Sequence, residues 1–349
     1  MKKKTLFLIV WLLALLILVS SCVPFPKFKS FYAWVVGDAD ENGIAMLYFS
    51  DDSGDTWKRQ GMDILPEGKD LADVYAIDQY EVWAVGSDGL VIRTVNSGYN
   101  WQVIEVSEVA TDTFFSDISV FQDRVWLSGD HGLIVFSDDS GDSWTVCELP
   151  ETAAEYIIQG IHAINEDLIY AVGNKPTPIP GIVLKSEDGG LTWEEVELPN
   201  DYNENEWIGV KATDENHIVI HGGKGHYAVT ANGGKQWVTG GPLFPKDLNS
   251  LVMLNSSTYW AACDFDTIIL TENSGISWEE QPSAGASNSF LLGIDALDRN
   301  TALIVGQSAG YPPYGKILRT KNAGESWEVV LSADDCPVNL HHVSIAQKK

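Results

Sequence analysis

The 349-residue chain has few basic residues and few cysteines. It contains 22 lysines and arginines against 49 aspartates and glutamates, which gives a formal net charge of −27 at pH 7. A surface with this balance repels nucleic acid and anionic lipid, so neither is expected as a partner bound by charge. The four cysteines are too few and too widely spaced for a disulfide framework or a Cys/His metal motif. We expect no metal and no cofactor.

The first cysteine lies in a distinctive context. Three lysines at positions 2–4 precede a wholly apolar run over residues 6–19. This run is shorter than the roughly 20 residues of a membrane span and is typical of a secretory signal. The sequence that follows, Val19-Ser20-Ser21-Cys22, resembles the lipobox of bacterial lipoproteins. The resemblance implies cleavage before Cys22 and lipid attachment to its thiol, which would anchor the protein to a membrane.

Residues 1–21 are therefore predicted to be a signal peptide and residues 22–30 a lipidated tether. The expected location is the cell envelope of a bacterium, facing the periplasm or the exterior. The remaining cysteines are expected to be buried thiols, with one bridge among them left open: Cys147, Cys263 and Cys336.

One eight-residue pattern occurs seven times, beginning with SDDSGDTW at 50–57, with 41 to 49 residues between successive tryptophans. A period near 45 residues suits four short strands, the size of one β-propeller blade. The third, fifth and eighth positions of the copies are Asp52, Gly54, Trp57; Asn96, Gly98, Trp101; Asp139, Gly141, Trp144; Asp188, Gly190, Trp193; Asn232, Gly234, Trp237; Asn273, Gly275, Trp278; and Asn322, Gly324, Trp327.

The residue types at each position of this pattern, compared across the seven copies, favour a structural turn over a calcium site. Calcium capture requires carboxylates at fixed positions, yet the third position is Asn in four of the seven copies. Asp and Asn share a side-chain oxygen that accepts backbone N–H groups in a turn. The glycine permits a positive φ, and the tryptophan offers apolar surface to a neighbouring blade.

The pattern S/T-x-D/N-x-G-x-x-W resembles the Asp-box, or BNR repeat, found in sialidases, sortilin-type receptors, xyloglucanase-type glycosidases and photosystem II stability/assembly factors. Glycine-rich strand pairs such as VWAVGSDGLVIRT at 82–94 are most similar to the assembly-factor type. This resemblance implies a seven-bladed propeller that acts as a non-enzymatic assembly scaffold. It also implies an arginine-rich patch, whereas the five arginines of this chain are not grouped: Arg59, Arg93, Arg124, Arg299 and Arg319.

The ends of the repeat region predict how the ring closes. Six repeats have a further strand before the glycine-rich pair, such as DVYAIDQ at 73–79, but the first begins directly at FYAWVVGD, residues 31–38. The tail LHHVSIAQ at 340–347 fits the missing strand, and its pairing there would remove a free sheet edge. We predict an all-β, monomeric, seven-bladed propeller of four-stranded blades over residues 31–347. Of His341 and His342, which alternate on the closing strand, one is expected to face the channel.

The residues give little support to catalysis. Sialidases require an arginine triad, and the placements of the arginines do not converge. A glycosidase requires two carboxylates at a defined separation, but among 49 acidic residues some pair meets that criterion by chance. No catalytic residue is assigned. The local group of His217, His221 and His226 has no partner carboxylate placed by sequence.

The face opposite the Asp-boxes carries the other loops and is the expected binding surface. Its aromatic and acidic residues predict recognition of a protein or a sugar. We therefore expect a membrane-anchored, non-enzymatic propeller that binds proteins or scaffolds their assembly, with a carbohydrate-binding or glycoside-hydrolysing propeller as the alternative. The residues proposed for the face are Asp130, His131, Trp207, Tyr311 and Tyr314.

Overall fold

The computed structural model describes residues 30–176, 181–199, 202, 205–241, 246–283, 288–310, 313–332 and 336–348. These residues form 28 strands. In chain order they are β1 (Phe31–Ala39), β2 (Ala45–Ser50), β3 (Lys58–Arg59), β4 (Leu71–Ala76), β5 (Val82–Gly86), β6 (Val91–Thr94), β7 (Gln102–Val103), β8 (Phe115–Phe121), β9 (Arg124–Gly129), β10 (Leu133–Ser137), β11 (Thr145–Val146), β12 (Ile157–Ala163), β13 (Ile169–Asn174), β14 (Gly181–Ser186), β15 (Glu194–Glu195), β16 (Trp207–Ala212), β17 (Ile218–Gly222), β18 (Tyr227–Thr230), β19 (Val238–Gly240), β20 (Leu248–Met253), β21 (Tyr259–Cys263), β22 (Ile268–Thr271), β23 (Glu279–Gln281), β24 (Ser289–Asp298), β25 (Thr301–Ser308), β26 (Gly315–Thr320), β27 (Glu328–Leu331) and β28 (Leu340–Gln347).

The strands form seven antiparallel four-stranded sheets, the blades of a propeller ring. Blades 2 to 7 are β4–β7, β8–β11, β12–β15, β16–β19, β20–β23 and β24–β27, whereas blade 1 has the order β28-β1-β2-β3. Strand β28 pairs with β1 from Phe31↔Gln347 to Gly37↔Leu340, so the predicted seven blades and their closure by the C-terminal strand are confirmed. Short 3₁₀ turns lie at Glu151–Glu155 and Gly223–Gly225.

The core lies between blades rather than within one central layer. Each of seven buried clusters joins two neighbouring blades. The second and third strands are covered on both sides, which explains their unbroken apolar runs, such as VWAVG in β5 and AMLYFS in β2. The outermost strands are short, and most carry charged or exposed residues, which suits a strand with a free edge.

Every innermost strand contains a β-bulge at the same place. In blade 2, Leu71 pairs with Gly86 and Asp73 with Val85, so Ala72 is the extra, unpaired residue. A Cβ on Gly86 would lie 2.0 Å from the Asp70 carbonyl oxygen, so this close approach requires the glycine of the VWAVG motif. The bulge residues of the seven blades are Ala72, Ser116, Gln159, Ile208, Asn249, Leu292 and His341.

No helix among the described residues is long and apolar enough to cross a membrane. The proposed signal peptide and lipidated Cys22 lie outside the described residues.

Candidate functional site

The seven bulge residues line one cavity of about 170 Å³ within the central channel. They mark its end on the face opposite the Asp-boxes, because the innermost strands all begin at that face. We call this end the channel mouth. A second cavity of about 330 Å³ lies at the mouth and shares Ala72, Ser116, Gln159 and His341 with the first. The repeated bulge therefore builds a polar entrance from residues that are far apart in sequence.

Beyond the mouth the channel contains three aspartates that join neighbouring blades; Asp73 is buried, and Asp117 and Asp295 are half-buried. Each accepts a hydrogen bond from the backbone N–H of the next innermost strand: Asp73 Oδ2 from Ile118 at 3.0 Å, Asp117 Oδ2 from Ile161 at 2.8 Å, and Asp295 Oδ2 from Ile345 at 2.7 Å. These bonds satisfy backbone donors that would otherwise be unpaired between blades. These three side chains therefore connect the innermost strands of neighbouring blades.

Asp73 and Asp117 lie close enough in the channel for each to shift the pKa of the other. Burial raises the pKa of Asp117, and the adjacent Asp73 carboxylate raises it further. Burial alone would raise the pKa of Asp73 too, but the charge and hydrogen bond of His342 outweigh it and lower that pKa. Because two neighbouring carboxyl groups resist ionising together, Asp73 is the one that ionises more readily and Asp117 the one that keeps its proton to higher pH.

Two cations balance these carboxylates. His342 Nδ1 lies 2.5 Å from Asp73 Oδ1. The sequence predicted that one of the two closing-strand histidines faces the channel, but because His341 is the bulge residue, both line it. Burial lowers the pKa of His342, but the Asp73 carboxylate raises it by more. Burial likewise lowers the pKa of Lys211, while Asp117 and Asp73 raise it by more. Lys211 and His342 line both the inner cavity and a third one of about 280 Å³ toward the Asp-box face.

The histidines predicted as a local group separate in the structure. His217 Nδ1 lies 2.9 Å from Asp214, and His226 Nδ1 lies 3.0 Å from the Gly223 carbonyl oxygen. His221 is buried, with Nδ1 2.9 Å from the Leu248 carbonyl oxygen, and burial lowers its pKa to about 4. Among the described residues, no group of three or more His, Cys, Asp or Glu side chains is placed to hold a metal ion.

The cavity at the channel mouth, which we call the mouth chamber, has an acidic and aromatic lining. Asp38 and Asp70 lie on it together with Phe114, whose side chain is 40% exposed. Asp38 contacts His341 Nε2 at 2.5 Å and the Asn339 amide at 2.7 Å. These two hydrogen bonds lower the pKa of Asp38 against the opposing effect of burial. Asp70 Oδ1 accepts the Ala39 N–H at 2.7 Å.

The residues predicted for the binding face have different positions. His131 lies beside Asp130 and is exposed, with 86% of its side chain accessible. Asp130 Oδ1 accepts the Phe114 N–H at 3.2 Å. Asp130 therefore holds one wall of the mouth chamber. Tyr314 is half-buried, and Tyr311 lies outside the described residues.

Trp207 was wrongly predicted to lie on this face. It is fully buried as the first residue of β16, in the cluster between blades 4 and 5. Its backbone N–H donates to Asn174 Oδ1 at 2.6 Å. Its side chain fills the interior and presents nothing to a partner.

The Asp-box residues form the same turn in every copy. In the first, Ser50 Oγ accepts the Gly54 N–H and Asp52 Oδ1 accepts the Thr56 N–H, both at 2.8 Å. The equivalent distances in the other boxes are 2.8–3.0 Å and 2.8–3.1 Å, whether the third residue is Asp or Asn. The box tryptophans pack into clusters with the preceding blade, as Trp144 does with Trp83. The boxes have a structural role.

The five arginines are dispersed and contact their own chain. Arg93 and Arg319 each donate to the carbonyl of the fourth residue of the next blade's Asp-box, at Ser140 and Ser53. Arg59 binds Asp40, Arg124 the Glu166 carbonyl, and Arg299 Glu272 and the Ala323 carbonyl. They do not form the arginine-rich patch that the family resemblance implies.

The three cysteines in the described residues are unpaired and buried. Burial raises the pKa of the Cys147 thiol to about 12, so this thiol is unreactive at neutral pH.

One family model matches a large part of this chain. The model described as photosynthesis system II assembly factor YCF48 matches residues 56–174 and 105–241, two overlapping stretches that together span just over half of the chain. No curated protein sequence matches the chain.

Similar solved structures include YCF48 bound to a D1 peptide, with a TM-score of 0.63 and 17% identity over 85% of this chain and 94% of that one. YCF48 from Cyanidioschyzon merolae has a TM-score of 0.59 and 16% identity over 76% and 86% of the two chains. The GH74 xyloglucanase from Xanthomonas campestris has a TM-score of 0.59 and 12% identity over 75% of this chain but only 45% of its own. At these identities the structural similarity establishes the fold.

Proposed function

Because this chain belongs to the family of the photosynthesis system II assembly factor YCF48, we propose that it is a non-enzymatic propeller that binds a segment of a partner protein. The observation that carries the proposal is the family match, together with the structure of its relative YCF48 in complex with a D1 peptide. The cavities at the channel mouth give such a segment a place to bind on this chain. The lipobox resemblance at Cys22 further supports attachment to a membrane of the cell envelope.

The channel carboxylates support a role without catalysis. Asp73, Asp117 and Asp295 each accept a backbone N–H from a neighbouring blade, so their removal would disturb the ring itself. A glycoside hydrolase requires a carboxyl pair with a substrate sugar between them. Asp73 is instead bonded by the Ile118 N–H and by His342, and Asp117 by the Ile161 N–H. Nothing in the site favours the carbohydrate alternative over a protein partner.

Site-specific photocrosslinking in the protein's own cells tests this function. A photoreactive phenylalanine analogue replaces His131 on the mouth face or, as the control, Tyr99 on the Asp-box face, whose side chain is 89% exposed. We expect a discrete protein adduct from position 131 and none from position 99. Adducts from position 99 alone, or glycan without protein at position 131, would overturn the proposal. Metabolic labelling with an alkynyl fatty acid, lost in Cys22→Ser, checks the anchor separately.

A further inference from the structure

The mouth chamber has the composition of a cation-binding site. Its described lining includes two carboxylates, an aromatic ring and the Gln159 amide, but no lysine or arginine. Its one histidine, His341, is bonded to Asp38. Carboxylates bind ammonium and guanidinium groups through charge-assisted hydrogen bonds, and an aromatic face attracts the same groups. The chamber therefore matches the end of a lysine or arginine side chain better than an acidic or apolar one.

Asp70 is the carboxylate best placed to receive such a group. Its Oδ1 accepts the Ala39 N–H, and within the described part of the chain no donor is bonded to Oδ2. Asp38, by contrast, is already bonded by His341 and Asn339 through its two oxygens. Phe114 lies on the blade 3 side of the chamber, and its loop is held by Asp130. The three lining groups come from blades 1, 2 and 3, so the folded ring creates the site.

The surface around the chamber has the same sign of charge. The loops of blades 1 to 3 on this face carry six exposed carboxylates, which we call the acidic quadrant: Glu41, Asp63, Glu67, Asp88, Glu108 and Asp112. The Lys69 ammonium, on the same loops, donates to the Asp88 carbonyl oxygen. An acidic surface of this extent attracts a basic segment and speeds its encounter.

From these contacts we infer that the mouth chamber and acidic quadrant bind a basic segment of the partner protein, with one lysine or arginine side chain inserted between Asp70 and Phe114. The inference rests on the proposed protein-binding function and specifies its partner's chemistry. Lys211, deeper in the channel, repels a second positive charge, so the inserted group stops in the outer chamber.

A twelve-residue random peptide library displayed on phage is the probe. It is selected on the full chain and on two matched variants, Asp70→Asn in the chamber and Asp88→Asn in the acidic quadrant. Both variants remove one negative charge on the same face, and the asparagine side chain at position 70 keeps an oxygen for the Ala39 N–H. Unchanged urea midpoints confirm that both variants are folded. Binding of the selected peptides is then measured by fluorescence anisotropy.

We expect selected peptides to be enriched in lysine and arginine, and to bind more weakly as salt is raised from about 50 to about 500 mM. Asp70→Asn should weaken binding roughly tenfold, as expected for a lost hydrogen bond to a charged group, whereas Asp88→Asn should change it less than about twofold, as expected for an exposed charge. Replacement of one particular basic residue of the peptide by glutamine should reproduce the loss seen with Asp70→Asn. Phe114→Ala should weaken binding as well.

Acidic or neutral selected peptides, no selected peptides, or equal effects of the two Asn variants would overturn the inference. The photocrosslinking experiment separates this failure from failure of the proposed function. If the adduct at position 131 forms in equal yield in Asp70→Asn, the protein binds a partner but not through the chamber. If basic peptides bind the chamber and no adduct forms, the chamber is a cation site but the proposed function fails.

Discussion

Removal of the closing strand β28 should destroy the stability of the whole ring. The perturbation is a stop codon after Asn339. It removes Leu340 and Val343, which are fully buried between blades 7 and 1, and burial of two such side chains contributes about 3–6 kcal/mol. It also leaves the buried Asp73 carboxylate without its His342 partner, which costs about 3–5 kcal/mol. The total is comparable to the roughly 5–15 kcal/mol by which a folded protein is stable.

Urea unfolding followed by tryptophan fluorescence measures the effect. The expected result for the truncated chain is loss of the cooperative transition, and a control that ends at Gln347 should unfold like the intact chain. A synthetic peptide of residues 338–349, added in excess, should restore the transition, because it can occupy the vacant edge of β1. The same peptide with Leu340→Asp and Val343→Asp should not. A truncated chain with the wild-type urea midpoint would refute the closure and the energies assigned to it.

Two further predictions concern single side chains. Asp52→Asn should change the free energy of unfolding by less than about 0.5 kcal/mol, because Asn forms the same turn in four other boxes. Asp52→Ala should lower the free energy of unfolding by roughly 1–2 kcal/mol, because the hydrogen bonds are lost. Equal losses for the two variants in urea unfolding would contradict the structural role of the box. The pKa of His342 is raised in the folded protein. Its ion pair with Asp73 therefore stabilises the folded state fully at pH values below the unfolded-state pKa of about 6.5. This stabilisation is lost as the pH rises through the higher pKa that His342 has in the folded state. His342→Gln should therefore reduce the fall in urea midpoint from about pH 6 to about pH 9, and an unaltered pH profile would show that the pair does not contribute.

The blade count and the Asp-box turns could be predicted because their causes are local. Each box forms its hydrogen bonds within eight residues, so the types at its first, third and fifth positions are constrained in every copy. The glycine at or near the end of the strand beside the innermost one has an equally local signature, repeated in six blades. Its reason, the close carbonyl oxygen near the start of the innermost strand, became visible only in the structure. Blade 6 has Cys263 at this position.

The error at Trp207 had a signal in the sequence. Trp207 is the first residue of an innermost strand, and the residues at the equivalent place in the other blades are all apolar and buried: Leu71, Phe115, Ile158, Leu248, Leu291 and Leu340. Comparison of these columns would have placed it in the core. The same comparison shows Asp73, Asp117 and His342 at one equivalent position of the innermost strands, where the other blades have glycine or serine. This difference is the sequence signal of the channel network, which the sequence analysis missed.

The sequence by itself determined the repeat, the strand pattern and the need for a closing strand, because these depend on interactions within a blade or on the missing strand of blade 1. Only the tertiary structure decided which side chains meet at the channel mouth. Asp38, Asp70 and Phe114 lie on three different blades, and their distance depends on the packing between blades and on the bulge of each innermost strand. No spacing along the chain encodes that convergence, since it depends on how blades 1, 2 and 3 pack together.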